Sequence, residues 1–304
     1  MSDSPPTLQQ HPVHGYLYYE PPADDVLQKH YEEKYFQENA IYKSDYSADE
    51  RRFFRSTATR KISMIKSYVG GNFGPSFQCL ELGVGEGWSL AALRAEGIDA
   101  RGIDYSTHGL ANWHPQLVEF VTEGAPESEL NSLVKHGQQF DLIWLDNVLE
   151  HVPRPHVLLS NLFRALKPGA LLLIEVPNDG SLLQQFLHRE GLIEREFWKA
   201  YPEHLSYFSE KTLTSLLEGS NFSVVDVMSD FPIDLFLLND ASNYVNDGAV
   251  GKSAHHARLR FEQFASQFDE AATIEFYRAL ARLTLGRNLA VLCVRQPEGA
   301  ERGR

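Results

Sequence analysis

From Phe77 onward, short apolar runs alternate with segments in which apolar residues recur every third or fourth position. Apolar runs of roughly four to eight residues are typical of buried strands, and the longer spacing is typical of helices packed on one face. Their alternation predicts a parallel sheet covered by helices. The predicted strands span residues 78–84, 100–104, 118–122, 140–145, 170–176, 223–229 and 289–295. The predicted helices between them span residues 87–96, 107–113, 127–135, 154–166 and 210–219.

Two regions fall outside this alternation. The first has a helical, aromatic pattern and predicts an N-terminal helical segment, which forms either a lid that includes Tyr31 and Tyr35 or an outer packing helix. The second separates the last two strands, is far longer than a hairpin loop, and predicts a helical insertion with helices at 257–268 and 270–285. The predicted division is 1–15 disordered, 16–72 N-terminal helical segment, 73–229 and 287–297 core, 230–286 insertion, and 298–304 tail.

Composition narrows the class of protein. The chain has 304 residues, of which 43% are hydrophobic and 23% charged, as in ordinary globular proteins. Its formal net charge of −13 repels phosphate backbones, so nucleic acid is not an expected partner. No apolar run approaches the roughly 18–20 residues that span a bilayer, so no membrane association is expected either. Cys79 and Cys293 lie in apolar runs, which favours buried thiols and a cytoplasmic location.

A glycine-rich turn follows the first predicted strand. Residues 81–87 read Glu-Leu-Gly-Val-Gly-Glu-Gly and lead into a helix. Glycines let the backbone turn sharply and let a ligand approach the main chain, although a simple tight turn is an alternative. A dinucleotide fingerprint would require a glycine where Trp88 stands. Glu81 and Glu86 would repel a pyrophosphate, whereas Glu81 suits a cationic sulfonium ligand.

The second predicted strand ends in Gly-Ile-Asp, which places Asp104 at its carboxyl end. An acidic side chain in this position can accept hydrogen bonds from both hydroxyls of a ribose. A helix cap or a solvated loop carboxylate is the alternative. The pattern therefore favours a nucleoside-containing ligand over a purely structural turn.

Four segments in order resemble class I S-adenosylmethionine-dependent methyltransferases. Residues 80–87 resemble the family's first motif, and residues 102–106 resemble its ribose-binding strand. Residues 140–152 resemble its fourth strand and the following turn, and residues 166–170 resemble the turn into its fifth strand. The resemblance implies a Rossmann-like α/β fold whose seven-stranded sheet has the order 3-2-1-4-5-7-6, with helices on both faces and the last strand antiparallel. It also implies S-adenosyl-L-methionine as cofactor and S-adenosyl-L-homocysteine as product.

The resemblance also assigns residues to the cofactor. It places Glu81, Gly83 and Gly85 beside the methionine moiety. Asp104 would hold the ribose, Tyr105 would flank the adenine, and Glu123 or only the backbone would meet the adenine amine. The amino-acid end would be lined by Asp146 and Asn147. Arg60 would pair with the cofactor carboxylate or would be a solvated helix-face arginine.

Two histidines are candidates for a catalytic base, since the histidine pKa lies near neutrality. His151 stands in a Glu-His pair that ubiquinone-type methyltransferases share, or it shapes the turn through backbone contacts. His204 lies in a segment resembling the Pro-x-His-Leu-x-Tyr-Phe stretch of small-molecule and glycan methyltransferases, or it packs at a helix entry. The candidate substrate-binding residues are Tyr207, Asn243, His256 and Arg258, the last three in a loop that would otherwise be plain polar surface.

The sequence thus predicts a methyltransferase that acts on an oxygen or nitrogen of a small molecule, such as a sugar, a glycan precursor or a secondary metabolite. A nicotinamide-dependent Rossmann oxidoreductase and a non-catalytic S-adenosylmethionine-binding protein are the alternatives. No metal is expected, because no histidine, cysteine or acidic spacing suggests a metal site. The insertion is a candidate surface for a homodimer.

Overall fold

The computed structural model describes residues 6–21, 45–70 and 73–297. Tyr31 and Tyr35, and with them the predicted lid, lie outside these residues, as do residues 1–5 and 298–304. Within the described ranges, no helix is both long and apolar enough to cross a membrane.

A seven-stranded sheet forms the centre of the molecule. Its strands are β1 (Gln78–Leu82), β2 (Asp99–Asp104), β3 (Val121–Glu123), β4 (Phe140–Asp146), β5 (Leu166–Pro177), β6 (Phe222–Ser229) and β7 (Asn288–Arg295). Their spatial order is 3-2-1-4-5-7-6, as predicted. The first five strands run parallel, and β7 is antiparallel to both β5 and β6. The predicted order and the predicted direction of the last strand are therefore confirmed.

Helices cover both faces of this sheet. They are α1 (Ala48–Val69), α2 (Trp88–Ala95), α3 (His108–Trp113), α4 (Pro126–Lys135), α5 (Pro155–Ala165), α6 (Leu182–Arg189), α7 (Glu210–Gly219), α8 (Gly251–Ala265) and α9 (Glu270–Arg282). Short 3₁₀ helices span Pro115–Phe120, Leu149–His151, Ile233–Leu238, Asp240–Ser242 and Gly248–Val250. The helices α8 and α9 lie between β6 and β7, where a helical insertion was predicted.

Alternation along β4 divides the core between the two faces of the sheet. Ile143 and Leu145 pack with side chains of α4, α5 and α7. Leu142 and Trp144, on the opposite face, pack with side chains of α1, α2 and α9. Successive side chains of a strand point to opposite faces, so a central strand between two helical layers must be apolar throughout. This packing holds α1 and the insertion on the same side of the sheet.

Several boundaries differ from prediction. The third strand begins at Val121 rather than at 118, because Pro115 starts a 3₁₀ helix that continues to Phe120. The helix α8 begins at Gly251 instead of 257 and ends at Ala265. The helix α6 was not predicted, although Ser181 and Gln184 form a capping box at its start.

Residues 1–15 were expected to be disordered, and this expectation is wrong for residues 9–10, which form a strand. The strand Gln9–Gln10 pairs with Leu17–Tyr18, which in turn pairs with Ser206–Tyr207 in a separate three-stranded sheet. Tyr16 is buried against Phe208, with ring centroids 5.1 Å apart. The polar composition of the first 15 residues did not reveal this pairing, because the strand Ser206–Tyr207 lies far away along the chain.

Candidate active site

A cavity of about 390 Å³ opens at the carboxyl ends of β1 and β4, beside α1. Ligands of open α/β sheets bind at this edge. The lining residues come from the sheet, from α1 and from the insertion. They are Phe53, Phe54, Thr57, Ala58, Lys61, Glu81, Gly83, Val84, Gly85, Trp88, Ser89, Asp146, Asn147, Glu175, Asp230, Arg258 and Asn288. Of the predicted cofactor residues, this cavity brings together Glu81, Gly83, Gly85, Asp146 and Asn147.

The glycine turn after β1 has a backbone that side chains would not tolerate. Gly83 has φ +77°, and a Cβ atom there would lie 2.5 Å from Cγ2 of Val148. Gly85 has φ +57°, and a Cβ atom there would meet nothing within 4 Å. Gly83 is therefore required for packing, whereas Gly85 leaves open space over the main chain. A ligand can approach the backbone closely at that point.

Glu81 is a buried carboxylate on the cavity wall. Its residue is 2% exposed, and Oε2 has no hydrogen-bond partner among the described residues. Burial raises the pKa of Glu81 well above its ordinary value, and the nearby Asp146 carboxylate adds to this effect. Lys61 opposes the shift. A buried acceptor without a donor is costly, so this oxygen is suited to receive a cationic or N–H-bearing ligand.

Asp104 lies at the end of β2 and holds the glycine turn in place. Its Oδ2 accepts a hydrogen bond of 2.7 Å from the Gly85 N–H, and its Oδ1 accepts one of 3.2 Å from the Ser106 N–H. Burial raises the pKa of Asp104 against these backbone hydrogen bonds. A carboxylate has about four lone-pair sites, so capacity remains for ribose hydroxyls. Ribose binding by Asp104 stays a prediction.

The cavity wall around Asp146 contains an ion-pair cluster that sequence reasoning missed. Lys61 Nζ lies 2.8 Å from Asp146 Oδ1 and 2.9 Å from Glu175 Oε2. Burial alone would lower the pKa of Lys61, but the two carboxylates outweigh it and raise the pKa. Two signals were present: a lysine on the apolar face of α1 beside Ile62, and an acidic residue inside the apolar β5.

Asp146 and Asn147 line the cavity, and their contact with the amino-acid end of the cofactor stays a prediction. The remaining oxygen of Asp146, Oδ2, accepts a hydrogen bond of 2.9 Å from the hydroxyl of Ser89 on α2. Asn147 is exposed, has φ +53°, and donates its backbone N–H to the carbonyl of Glu175 at 2.9 Å. A positive φ at a residue other than glycine is uncommon and marks a constrained turn. The side chain of Asn147 is thereby presented at the cavity.

Besides Asp104, three predicted cofactor contacts lie outside the cavity lining. Tyr105 follows β2 and is 45% exposed, so its contact with the adenine stays a prediction. Glu123 accepts hydrogen bonds from the backbone and hydroxyl of Thr107 at 3.0 and 2.9 Å, so it caps α3. Arg60 requires a correction. Its Nη1 is 2.8 Å from Glu262 Oε2, which directs it into the interface between α1 and α8 instead of the cavity.

The two candidate bases meet in space. The rings of His151 and His204 have centroids 5.0 Å apart in an edge-to-face arrangement. Nδ1 of His151 lies 2.6 Å from the carbonyl oxygen of Glu203, which favours the tautomer with the proton on Nδ1. His204 Nδ1 lies 3.8 Å from Asp179 Oδ2. Neither ring is among the described residues that line the 390 Å³ cavity.

A buried carboxylate lies near each histidine: Glu150 of the Glu-His pair near His151, and Asp179, which the sequence did not indicate, near His204. Glu150 and Asp179 are 1% and 6% exposed, and their oxygens have no hydrogen-bond partners within the described chain. Ligand atoms of Glu150, His151 and His204 lie within 4.8 Å of one another and could hold a metal ion. Only Glu150 and His151 are close in sequence, so spacing could not reveal the group. The expected absence of a metal stays a prediction.

The predicted substrate residues occupy different places. Tyr207 is buried, donates its hydroxyl to the carbonyl of His204 at 3.0 Å, and lines a second cavity of about 260 Å³ together with Asp179. Asn243 requires a correction: it is 2% exposed, and its amide donates to the carbonyls of Leu192 and Leu237, so it stabilises loops. His256 is exposed on α8, outside the 390 Å³ cavity. Of the four, only Arg258 lines that cavity.

Comparison with known proteins identifies relatives of this core. Residues 49–227 match the family model described as a methyltransferase domain. The chain is 27% identical over 154 residues to phosphoethanolamine N-methyltransferase 2 of Caenorhabditis elegans, covering 50% of this chain and 35% of that protein. It is 28% identical over 120 residues to the ubiquinone biosynthesis O-methyltransferase of Klebsiella pneumoniae, covering 39% of this chain and 49% of that protein. The chain thus spans half or less of these curated relatives.

Solved structures share the fold. An S-adenosylmethionine-dependent methyltransferase from Archaeoglobus fulgidus superposes with a TM-score of 0.51 at 20% identity, covering 80% of this chain and 94% of that chain. Magnesium protoporphyrin IX methyltransferase from Synechocystis, solved with bound S-adenosylhomocysteine, gives a TM-score of 0.50 at 13% identity, covering 90% of this chain and all of that chain (100%). The family match spans more than half of the chain and includes the glycine turn, Asp104 and the Asp146 turn. The chain therefore belongs to the methyltransferase domain family and has the class I S-adenosylmethionine-dependent methyltransferase fold.

Proposed function

We propose that this protein transfers a methyl group from S-adenosylmethionine to an oxygen or nitrogen of a small molecule. The observation that carries the proposal is that one cavity combines an open positive-φ glycine turn with the buried carboxylate of Glu81, whose Oε2 has no hydrogen-bond partner among the described residues. A pyrophosphate would be repelled there, whereas a sulfonium zwitterion supplies the positive charge that the carboxylate lacks. When bound, this cofactor supplies a methyl group that is already activated for displacement.

The residues present fit such a cofactor. Glu81 and Asp146 offer carboxylates to its cationic groups, and the open main chain at Gly85 allows close approach of the methionine moiety. Asp104 has remaining lone pairs for the ribose hydroxyls, and Tyr105 stands next to it for the adenine. A cationic ligand would also explain why Oε2 of Glu81 is buried without a donor among the described residues.

Methyl transfer depends mainly on positioning the acceptor in line with the donor, and an oxygen or ammonium acceptor also has to lose a proton. The pair of His151 and His204 supports proton removal, because neutral imidazole accepts a proton near neutral pH. The names of the phosphoethanolamine and ubiquinone relatives support a small-molecule acceptor. A sugar, a glycan precursor and a secondary metabolite are the acceptor types that we propose, in a cytoplasmic location.

Isothermal titration with S-adenosylhomocysteine tests the cofactor assignment. Asp104→Ala is expected to weaken binding by about 1–3 kcal/mol, because charge-assisted hydrogen bonds are lost. Asp99→Ala is the matched control, since Asp99 begins the same strand and, among the described residues, forms an ion pair only with Arg101, at 3.6 Å. The absence of binding to the wild-type protein would refute the proposal, and equal affinity of both variants would place the ribose elsewhere.

Turnover is tested by S-adenosylhomocysteine release with a panel of hydroxyl and amine acceptors. His204→Ala is expected to lower the rate more than the cofactor affinity, because the histidine acts on the acceptor. His151→Ala in the same assay shows which of the two rings removes the proton. If no acceptor supports release while the cofactor still binds, the non-catalytic alternative is favoured.

A further inference from the structure

Arg258 is the one arginine in the lining of the 390 Å³ cavity among the described residues. It lies on α8 of the insertion, and its guanidinium carbon is 4.6 Å from the ring centroid of Phe53 on α1. Asp230 and Asn288, at the two ends of the insertion, line the same cavity. The insertion therefore places a cation in the lining of the cavity that the glycine turn and Glu81 also line.

Arg258 is only partly satisfied by its neighbours. Its Nη2 donates to Nδ1 of His255 at 2.8 Å, and Nε2 of that ring lies 3.5 Å from Glu50 Oε1. Arg258 Nε is buried and has no hydrogen-bond partner within the described chain. Across the same described residues, no carboxylate lies within 4.0 Å of its guanidinium. His255 thus orients the guanidinium without neutralising it.

The contrast with Lys61 in the same cavity is informative. Lys61 has two carboxylates within 2.9 Å. Asp230 and Glu262 lie further than 4.0 Å from the guanidinium of Arg258 and act on it only through longer-range attraction. Burial outweighs this attraction and lowers the pKa of Arg258. The pKa of Asp230 is itself raised to about 7 by burial, so its charge is incomplete near neutral pH. A partly desolvated cation without an anionic partner is unfavourable unless a ligand provides the anion.

We propose that Arg258 is an anion-binding residue of this cavity that receives a carboxylate or phosphate group of a bound ligand. This inference rests on the proposed function, because the two sources of such a group are the carboxylate of the cofactor's methionine moiety and an anionic group on the acceptor. A guanidinium offers planar, paired N–H donors that match carboxylate and phosphate oxygens. The Nε–H of Arg258 is one donor that has no hydrogen-bond partner among the described residues.

Titration calorimetry with two matched ligands separates the sources. S-adenosylhomocysteine carries the carboxylate, and its decarboxylated analogue keeps the ammonium but lacks the carboxylate. If Arg258 holds the cofactor carboxylate, Arg258→Met weakens S-adenosylhomocysteine at least tenfold and leaves the analogue unchanged. Arg260→Met, an exposed arginine on the same helix, is the control and changes neither affinity. Circular dichroism confirms that both variants are folded.

If the anion belongs to the acceptor, Arg258→Met keeps its affinity for S-adenosylhomocysteine. In that case the wild-type protein saturated with S-adenosylhomocysteine binds inorganic phosphate or acetate at millimolar concentration, and Arg258→Met loses this binding at least tenfold. Unchanged affinities for S-adenosylhomocysteine, phosphate and acetate in Arg258→Met would overturn the inference. Failure of the wild-type protein to bind either nucleoside ligand would instead refute the proposed function, while the phosphate titration of the free protein would still report on Arg258.

Discussion

At the residue scale, the ammonium of Lys61 lies between two carboxylates on the cavity wall, 2.8 Å from Asp146 and 2.9 Å from Glu175. Its side chain is 4% exposed, so all three charges are largely removed from water. Charges in such an arrangement stabilise the fold only as a group, because each one alone would be an uncompensated buried charge. The cavity wall at Asp146 and Glu175 therefore depends on Lys61, which belongs to α1 and not to the sheet.

We expect Lys61→Met to lower the free energy of unfolding by about 3–5 kcal/mol, because it leaves two buried carboxylates without their cation. Urea denaturation followed by circular dichroism measures this change. Lys66→Met is the control on the same helix: Lys66 pairs with Glu96 at 2.7 Å, but its side chain is 41% exposed, so the cost should be about 0–1 kcal/mol. An equal loss of unfolding free energy in both variants would show that Lys61 does not compensate the buried charges of Asp146 and Glu175.

Residues also show what local sequence could and could not predict. Gly83, Gly85 and Asp104 were singled out as candidate cofactor residues because the pattern of residue types that indicates them lies within about 25 residues of the chain. Arg60 was assigned to the cofactor, but its partner Glu262 lies on a helix far along the chain. Arg258, and not Arg60, lines the cavity. Which of two arginines faces a cavity is decided by helix packing, and the sequence around each arginine does not contain that information.

At the element scale, Asp230 joins the two ends of the insertion. It follows β6, and its Oδ1 accepts the backbone N–H groups of Arg287 and Asn288 at 2.5 and 2.8 Å. The carboxylate therefore connects the start of the insertion to the first residue of β7. Burial raises its pKa to about 7, against these two hydrogen bonds and with the repulsion of Glu175 added. Arg258 opposes the shift.

This raised pKa predicts a pH dependence of stability. An acidic group whose pKa rises on folding binds more protons in the folded state, so its contribution to stability falls as pH rises between the unfolded and folded values. For Asp230 that window runs from the ordinary value of 3.8 to about 7. Asp230→Asn keeps an acceptor oxygen but does not titrate. Relative to this variant, the wild-type protein should lose up to about 4 kcal/mol of unfolding free energy from pH ~4 to pH ~8.

Urea denaturation of both proteins across this range tests the expectation. A difference that stays constant with pH would show that folding does not raise the pKa of Asp230. Titrating groups distant from Asp230 contribute equally to both proteins, so they cancel in the difference. The comparison therefore isolates the carboxyl that joins the ends of the insertion.

At the scale of the whole molecule, the net charge of −13 is unevenly distributed. Arg51, Arg52 and Arg55 on α1 line a surface cavity of about 630 Å³ beside Trp88 and Trp113. A local basic groove on an acidic protein can still bind a polyanion, but the overall field opposes its approach. The predicted homodimer through the insertion is a separate whole-molecule prediction, which light scattering of the purified protein checks.

We expect no saturable binding of a fluorescent single-stranded RNA below about 100 µM at physiological salt, since non-specific binders have dissociation constants of roughly 10⁻⁴–10⁻⁶ M. Fluorescence anisotropy of the labelled RNA measures this binding. Low-micromolar, salt-sensitive binding would contradict the expectation. Arg51→Glu combined with Arg55→Glu would then show whether this arginine cluster is the binding surface.

The sequence by itself determined the sheet and the glycine turn. Seven apolar runs were visible as local periodicities, and the alternation of strand and helix leaves few topologies open. The turn at 81–87 and Asp104 were likewise local, because each depends on residue types at fixed short distances.

Only the tertiary structure decided what surrounds that turn. It placed Lys61 between Asp146 and Glu175, brought His151 against His204, and directed Arg258 instead of Arg60 to the cavity. Each of these arrangements joins side chains from elements distant along the chain, and ion pairs and ring contacts depend on distances of a few ångströms. Periodicity does not encode those distances; the packing of α1 and the insertion on one face of the sheet does.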